Sequence, residues 1–181
     1  MDSKALRGAL PDRIETDRLA LCAPGQGDVV AIAKLANNPK IHAMTTLPYP
    51  YSQADALEFV TKFVRSEQEH AYAITGKDGR LIGMIGLHMS ASESPEIGYW
   101  LGEPFWNKGY ATEAARALID TIRETGHCSP LRAKVRSENT ASQAVLEKLG
   151  FTRLDETISR CGPHKDVPIT IFELTIAAES F

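Results

Sequence analysis

The chain has 181 residues, 43% apolar and 24% charged, with a formal net charge of -3. That length favours one domain over 1–181, and the balance suits a chain that buries a sizeable core. The charge gives no reason to expect a nucleic-acid or membrane surface, and the cysteines Cys22, Cys128 and Cys161 are too far apart for a zinc site or a disulfide framework.

Residues 1–13 read as a polar lead-in without the apolar core of a signal peptide. No apolar run reaches the roughly 20 residues of a membrane span, and the cysteine usage suits a reducing, cytoplasmic setting. "TDRLALCA" (16–23) alternates weakly, as a first strand does. Asp28 caps a helix to about Asn37, with Val29, Ile32, Ala33 and Ala36 on one face. "NNPKIHAMTTLPYPYS" (37–52) reads as a loop rich in proline and aromatics. Ser52 and Asp55 resemble a capping box that opens a helix carrying Ala56, Phe59, Val60, Phe63 and Val64. "AYAITGKDGRLIGMIGLHM" (71–89) is a hairpin turning at Asp78-Gly79. "PEIGYWLG" (95–102) and "LRAKVRS" (131–137) are further strands. A helix runs from about Thr140, with Gln143 completing a capping box, to Leu149, where Gly150 and Phe151 fit a Schellman motif closing on Leu146. "VPITIFELTI" (167–176) is the last strand. Antiparallel strands feeding one βαβ unit give a mixed sheet, α/β or α+β.

The stretch "EPFWNKGYATEAARALIDTI" (103–122) carries the functional question. Ala111, Ala114, Ala115, Leu118, Ile119 and Ile122 form one helical stripe. Free N–H groups and the positive end of the dipole attract phosphate to the start of such a helix. Gly109 lets the backbone approach an oxygen, Lys108 adds charge, Thr112 offers a hydroxyl and Ala111 leaves the entrance open. A helix after a glycine loop also occurs with no ligand. GxxxxGK[ST] and GxGxxG are both missing, which turns the reading away from nucleoside triphosphates and dinucleotides.

"PEIGYWLGEPFWNKGYATEAARALI" (95–119) followed by "NTASQAVLEKLGF" (139–151) resembles the GNAT acetyltransferase superfamily, and within it the ribosomal-protein N-terminal acetyltransferase branch. The likeness runs from "ETDRLAL" (15–21) to the last strand. It implies the GNAT fold: a mostly antiparallel sheet splayed between its fourth and fifth strands and flanked by helices. It also implies acetyl-coenzyme A as co-substrate, with no metal. The pantetheine arm would lie along Gly98, Tyr99, Trp100 and Leu101. The family's Q/R-x-x-G-x-G/A loop maps to Trp106, Asn107, Lys108, Gly109, Tyr110 and Ala111, so the diphosphate would meet amides from Lys108 to Thr112. Trp106 departs from the usual Gln or Arg. Asn139 maps to an asparagine contacting the pantetheine or a water. The resemblance implies Ser142 as the candidate acid for the departing thiolate: the wider superfamily often uses a tyrosine in this helix, none follows Tyr110 here, and the ribosomal branch has a serine near this position in that role. Helix capping explains Asn139, Thr140 and Ser142 equally well.

The implied reaction moves acetyl directly from a thioester to a primary amine, with positioning supplying roughly 7–11 kcal/mol in favourable cases. Backbone N–H groups near Ile97 to Tyr99 would meet the acetyl oxygen. Glu96 is the candidate base, with His42 and His88 as candidates for a water relay; a solvated carboxylate and ordinary histidines are the plain alternatives. The acceptor pocket would involve 41–52 and "SRCGPHKD" (159–166). Tyr49 and Tyr51 fit either the pocket lining or simple loop packing. Cys22 stands where this branch often has an arginine, which loosens any carry-over of acceptor identity. The acceptor is a protein N-terminus of alanine or serine type, or a small amine, and the protein is a monomer or homodimer. A non-catalytic acyl-coenzyme A sensor on the same fold, or a domain that has lost the cofactor, are the alternatives.

Overall fold

The computed structural model describes residues 3–90, 93–128, 130–159 and 165–176. Cys161 and most of the 159–166 stretch expected at the acceptor pocket lie outside them. One eight-stranded sheet has the order β1-β2-β3-β4-β5-β6-β8-β7. Its strands are β1 (Arg13–Glu15), β2 (Leu19–Cys22), β3 (Glu69–Gly76), β4 (Leu81–His88), β5 (Glu96–Leu101), β6 (Leu131–Arg136), β7 (Thr152–Ile158) and β8 (Pro168–Leu174). Every neighbouring pair is antiparallel except β5 and β6, which are parallel.

The "polar lead-in" is a correction. Within it, Ser3–Ala9 form helix α1, and its last residue, Arg13, opens β1. Leu6 and Leu10, one helical turn apart, are both buried in the main core. Two apolar contacts suffice there, too few to stand out in a polar stretch.

The expected helix is α2 (Val29–Ala36), but the cap is a correction: the Asp28 carboxylate makes no side-chain cap on it and instead accepts the Gly25 N–H at 2.8 Å. The expected loop 37–52 contains a short helix, α3 (Pro39–Met44). Asn38 caps it by accepting the Lys40 N–H at 2.8 Å, and Pro39 takes the first position, where no N–H is needed. Ser52 opens α4 (Gln53–Glu58) with its capping box, the Ser52 N–H donating to Asp55 at 2.7 Å, and a π-helical turn follows over Phe59–Phe63. In the 71–89 hairpin, Gly79 takes φ 78°.

The sheet separates two cores. α1, α5 (Tyr110–Thr125) and α6 (Thr140–Lys148) cover one face. There Leu118, Ile119 and Ile122 meet Leu87, Ile97, Leu131 and Phe172, each large side chain contributing about 1.5–3 kcal/mol by burial. α2, α4 and the π turn cover the other face through Ile32, Ala56 and Val60 packed on Ala71, Ala73 and Met84. Along β5, Ile97, Tyr99 and Leu101 join the first core and Trp100 the second. Glu96 and Gly98 share the Trp100 face by alternation.

α6 ends as the sequence predicts. Gly150 has φ 88°, the Phe151 N–H donates to the Leu146 carbonyl at 3.1 Å, and that of Gly150 to Glu147 at 3.0 Å. Its start is a correction: the cap is Asn139, whose Oδ1 accepts the Ser142 N–H at 3.1 Å, while Thr140 is already helical.

Candidate active site

β5 and β6 pair at a single position, Glu96 with Arg132. The Arg132 N–H donates to the Pro95 carbonyl at 2.9 Å, and in that register the Ile97 N–H turns to Arg132. Beyond this foot the strands part. The Gly102 N–H donates to Ile82 of β4, so alternation sends the N–H and C=O of even-numbered β5 residues to β4 and those of Tyr99 into the gap. Among the described residues Tyr99 therefore offers the first unpaired backbone donor facing the splay, one pleat further from the foot than Ile97. The Leu101 carbonyl, next in line, accepts the Trp106 indole N–H at 2.8 Å. Trp106 thus spends its polar group inside the protein.

At the open end the chain passes through a 3-10 turn (Glu103–Phe105) into the loop before α5. Asn107 and Gly109 both take left-handed conformations, φ 58° and 78°. Left-handed residues in such loops can turn successive N–H groups toward one point, the geometry of an anion nest. Gly109 is the N-cap of α5 and supplies no capping side chain, which leaves the amides of the first turn without an intrahelical partner. Lys108 Nζ folds back onto the Pro104 carbonyl at 2.8 Å.

A clamp from the chain start braces this loop. Arg18 pairs with Glu113 at 2.6 Å, donates to the Lys108 carbonyl at 2.9 Å and lies 4.7 Å above the Tyr110 ring. Thr16 also donates to Glu113, at 2.6 Å. Burial pushes the Glu113 carboxyl up, and the hydrogen bonds from Thr16 and Arg18 outweigh it, holding it below its ordinary value.

On the α5–α6 side, the Tyr99 phenol reaches across to the Ser142 carbonyl at 3.4 Å. Burial raises that phenol to about 12, so it stays a neutral donor. Asn139 spends its Oδ1 on capping, whereas the Ser142 hydroxyl makes no hydrogen bond among the described residues. On the α2–α4 side Gly98 is bare: a Cβ there would meet open space. Next to it, Glu96 pairs with Lys134 at 2.8 Å. Glu69 and His88 stand on the adjacent strands, 3.0 Å apart, in register with Glu96. His42 Nδ1 lies 2.7 Å from the Leu47 carbonyl and its ring packs near Tyr49, while Tyr51 is buried in the core. Among the described residues no His/Cys/Asp/Glu group could hold a metal ion, and no helix is long and apolar enough to cross a membrane.

The acetyltransferase (GNAT) domain family matches residues 18–152. The chain belongs to the GNAT acetyltransferase family. It is an acetyl-coenzyme A-dependent acyltransferase. Among its relatives, N-acetyltransferase p20 of Bacillus licheniformis, itself uncharacterized, is 30% identical over 148 residues, 78% of this chain and 83% of that protein. The ribosomal-protein-serine acetyltransferase of Escherichia coli K12 is 28% identical over 108 residues, 50% of this chain and 60% of that one. A RimL ribosomal L7/L12 alpha-N-protein acetyltransferase in complex with coenzyme A superposes with a TM-score of 0.81, covering 92% of this chain and 99% of that one. Its identity of 21% carries the likeness of fold alone.

The GNAT enzyme brings Gly98–Leu101, the 106–112 loop and Asn139–Ser142 to the two arms of one cleft, with Glu96 at its foot. Arg18, Glu113, Lys134 and the Tyr99 phenol are polar groups of this region that sequence reasoning missed. Their partners lie far along the chain, 95 residues apart for Arg18 and Glu113, and local pattern carries no sign of such pairs.

Proposed function

We propose that the enzyme, as one GNAT domain working in the cytoplasm, moves acetyl from acetyl-coenzyme A to a primary amine, the N-terminus of a peptide beginning with serine or alanine. The observation that carries this reading is the unpaired Tyr99 backbone in the splay, ahead of the uncapped turn at Gly109. The pantetheine takes the place of a missing strand beside Gly98–Leu101, and the diphosphate rests on amides from Lys108 to Thr112. The Tyr99 N–H, rather than that of Ile97, meets the acetyl oxygen. The amine enters over bare Gly98. Its nitrogen forms the new C–N bond, and its proton passes to Glu96 through water. The C–S bond breaks, the departing thiolate takes the Ser142 hydroxyl proton, and solvent returns a proton to Ser142 as Glu96 releases the one it took. Serine-type peptides are chosen because of the Escherichia coli relative; small amines are the second acceptor class.

The test is an acceptor panel of serine- and alanine-initiated peptides and small amines, read by free-thiol release and mass spectrometry. Acetylation of the peptide α-amine is expected. Coenzyme binding without turnover on any acceptor would instead support a sensor.

A further inference from the structure

Something must keep β5 and β6 apart. Two parallel strands that share a foot leave costly unpaired backbone groups beyond it, and nothing in their own chemistry stops them zipping together. α3 is tied to both arms. At its N-terminal end, Asn38 Nδ2 donates to Glu103 at 2.7 Å and Lys40 pairs with the same carboxylate, just beyond the end of β5. At its other end, the Ala43 carbonyl accepts from the Arg136 guanidinium, at the last residue of β6. Arg136 is held by Glu138 at 2.5 Å, and its side chain is only 17% exposed. α3 has six residues, about 9 Å of helix at 1.5 Å per residue. Two strands with one strand missing between them stand about twice 4.8 Å apart, roughly 9.6 Å. The anchored stretch, Asn38 to Ala43, covers about 7.5 Å of that axis, and the Glu103 and Arg136 side chains supply the rest of the reach across a slot for one extended chain.

We propose that α3 is a spacer of fixed width, and that Glu103 and Arg136 are positioning residues that anchor it to the two arms. It keeps the splay open before any ligand arrives, so the pantetheine meets a preformed slot and does not have to unzip a sheet. Releasing either anchor lets β6 swing toward β5, and the Tyr99 N–H finds a backbone partner. This rests on the coenzyme reading above. It makes a particular demand, because a spacer fails when either end is free, so losing both ends adds little to losing one. Independent local effects on opposite arms would add.

The full chain is compared with Arg136→Met, Glu103→Ala, their combination and the milder Arg136→Lys. Coenzyme A affinity is measured by calorimetry, and amide hydrogen exchange at Tyr99 is followed without ligand. Each single release is expected to weaken binding about 5–10-fold, with the double variant within about twofold of the worse single. Arg136→Lys, which keeps one donor, should fall between Arg136→Met and the parent. Tyr99 exchange should slow about tenfold or more in the released variants, whereas plain destabilisation would speed it. Multiplying effects, or an unchanged or faster Tyr99 amide, would overturn the spacer. A parent chain that binds no coenzyme A would overturn the coenzyme reading instead.

Discussion

The uncapped turn at Gly109 allows a substitution pair that isolates one charge. Gly109 has φ 78°, a conformation that costs most residues about 1–2 kcal/mol and that Asn and Asp tolerate best. Gly109→Asn and Gly109→Asp carry nearly the same shape and strain, so both should melt a few degrees below the parent and close to each other. Only Asp adds charge. At about 6 Å from a phosphate, with an effective dielectric between 20 and 80, that charge costs roughly 0.7–2.8 kcal/mol per phosphate charge. Arg18 Nη2 stands 3.4 Å from the new Cβ and offsets part of it. A net of about 2 kcal/mol remains, so coenzyme A should bind roughly thirtyfold more weakly to the Asp variant than to the Asn variant. Titration calorimetry at 50 mM and 500 mM salt measures this, and screening should narrow the gap at the higher salt. Equal affinities of the two variants at low salt would refute a diphosphate on this turn.

Gly98→Val should fold normally, since its Cβ meets open space on a strand, yet lose most kcat/KM for the amine while coenzyme affinity stays within a few-fold; unchanged turnover would remove Gly98 from the acceptor path. Ser142→Ala should lower kcat with little change in melting temperature, whereas Asn139→Ala should cost about 1 kcal/mol of stability through its lost cap; the reverse pattern would exchange their roles. His70 gives a pH prediction. The Tyr72 hydroxyl donates to the Pro11 carbonyl at 2.6 Å, so His70 Nε2 is the donor toward Tyr72, and buried Nδ1 has no partner among the described residues. Burial, then the Arg65 and Arg7 charges, lowers the imidazole to about 4. The unfolded chain takes up this proton below about 6.5 and the fold does not, so stability should fall from pH 6.5 to pH 4 by up to about 3 kcal/mol. Denaturant melts of His70→Gln should lack that part of the slope, and identical slopes would contradict the assignment.

Periodic burial made most of the fold legible from the residues. The α5 stripe, the hairpin around Asp78-Gly79 and the Gly150 ending of α6 are local patterns, and local physics writes them into neighbouring residues. α1 escaped because Leu6 and Leu10 are its only strong apolar signals. α3 escaped because proline and aromatics read as loop, although Asn38-Pro39 is a sound helix start. The main-chain part of the site was legible for the same reason, since a glycine turn before an amphipathic helix is itself a local pattern. The ionic part was not. Lys134 meets Glu96, Arg18 meets Glu113 and Arg136 meets Ala43 only after the sheet has formed, and surface arginines and lysines look alike along a chain. Which of Asn139 and Thr140 caps α6 needed coordinates for a single hydrogen bond.

The central claim is that the gap between β5 and β6 holds the acetyl donor. A crystal of the full chain with coenzyme A tests it most directly. The account predicts an extended pantetheine hydrogen-bonded to the Tyr99 backbone, with both phosphates on the amides from Lys108 to Thr112. Coenzyme bound elsewhere, or a splay closed by β5–β6 pairing in its presence, would contradict it.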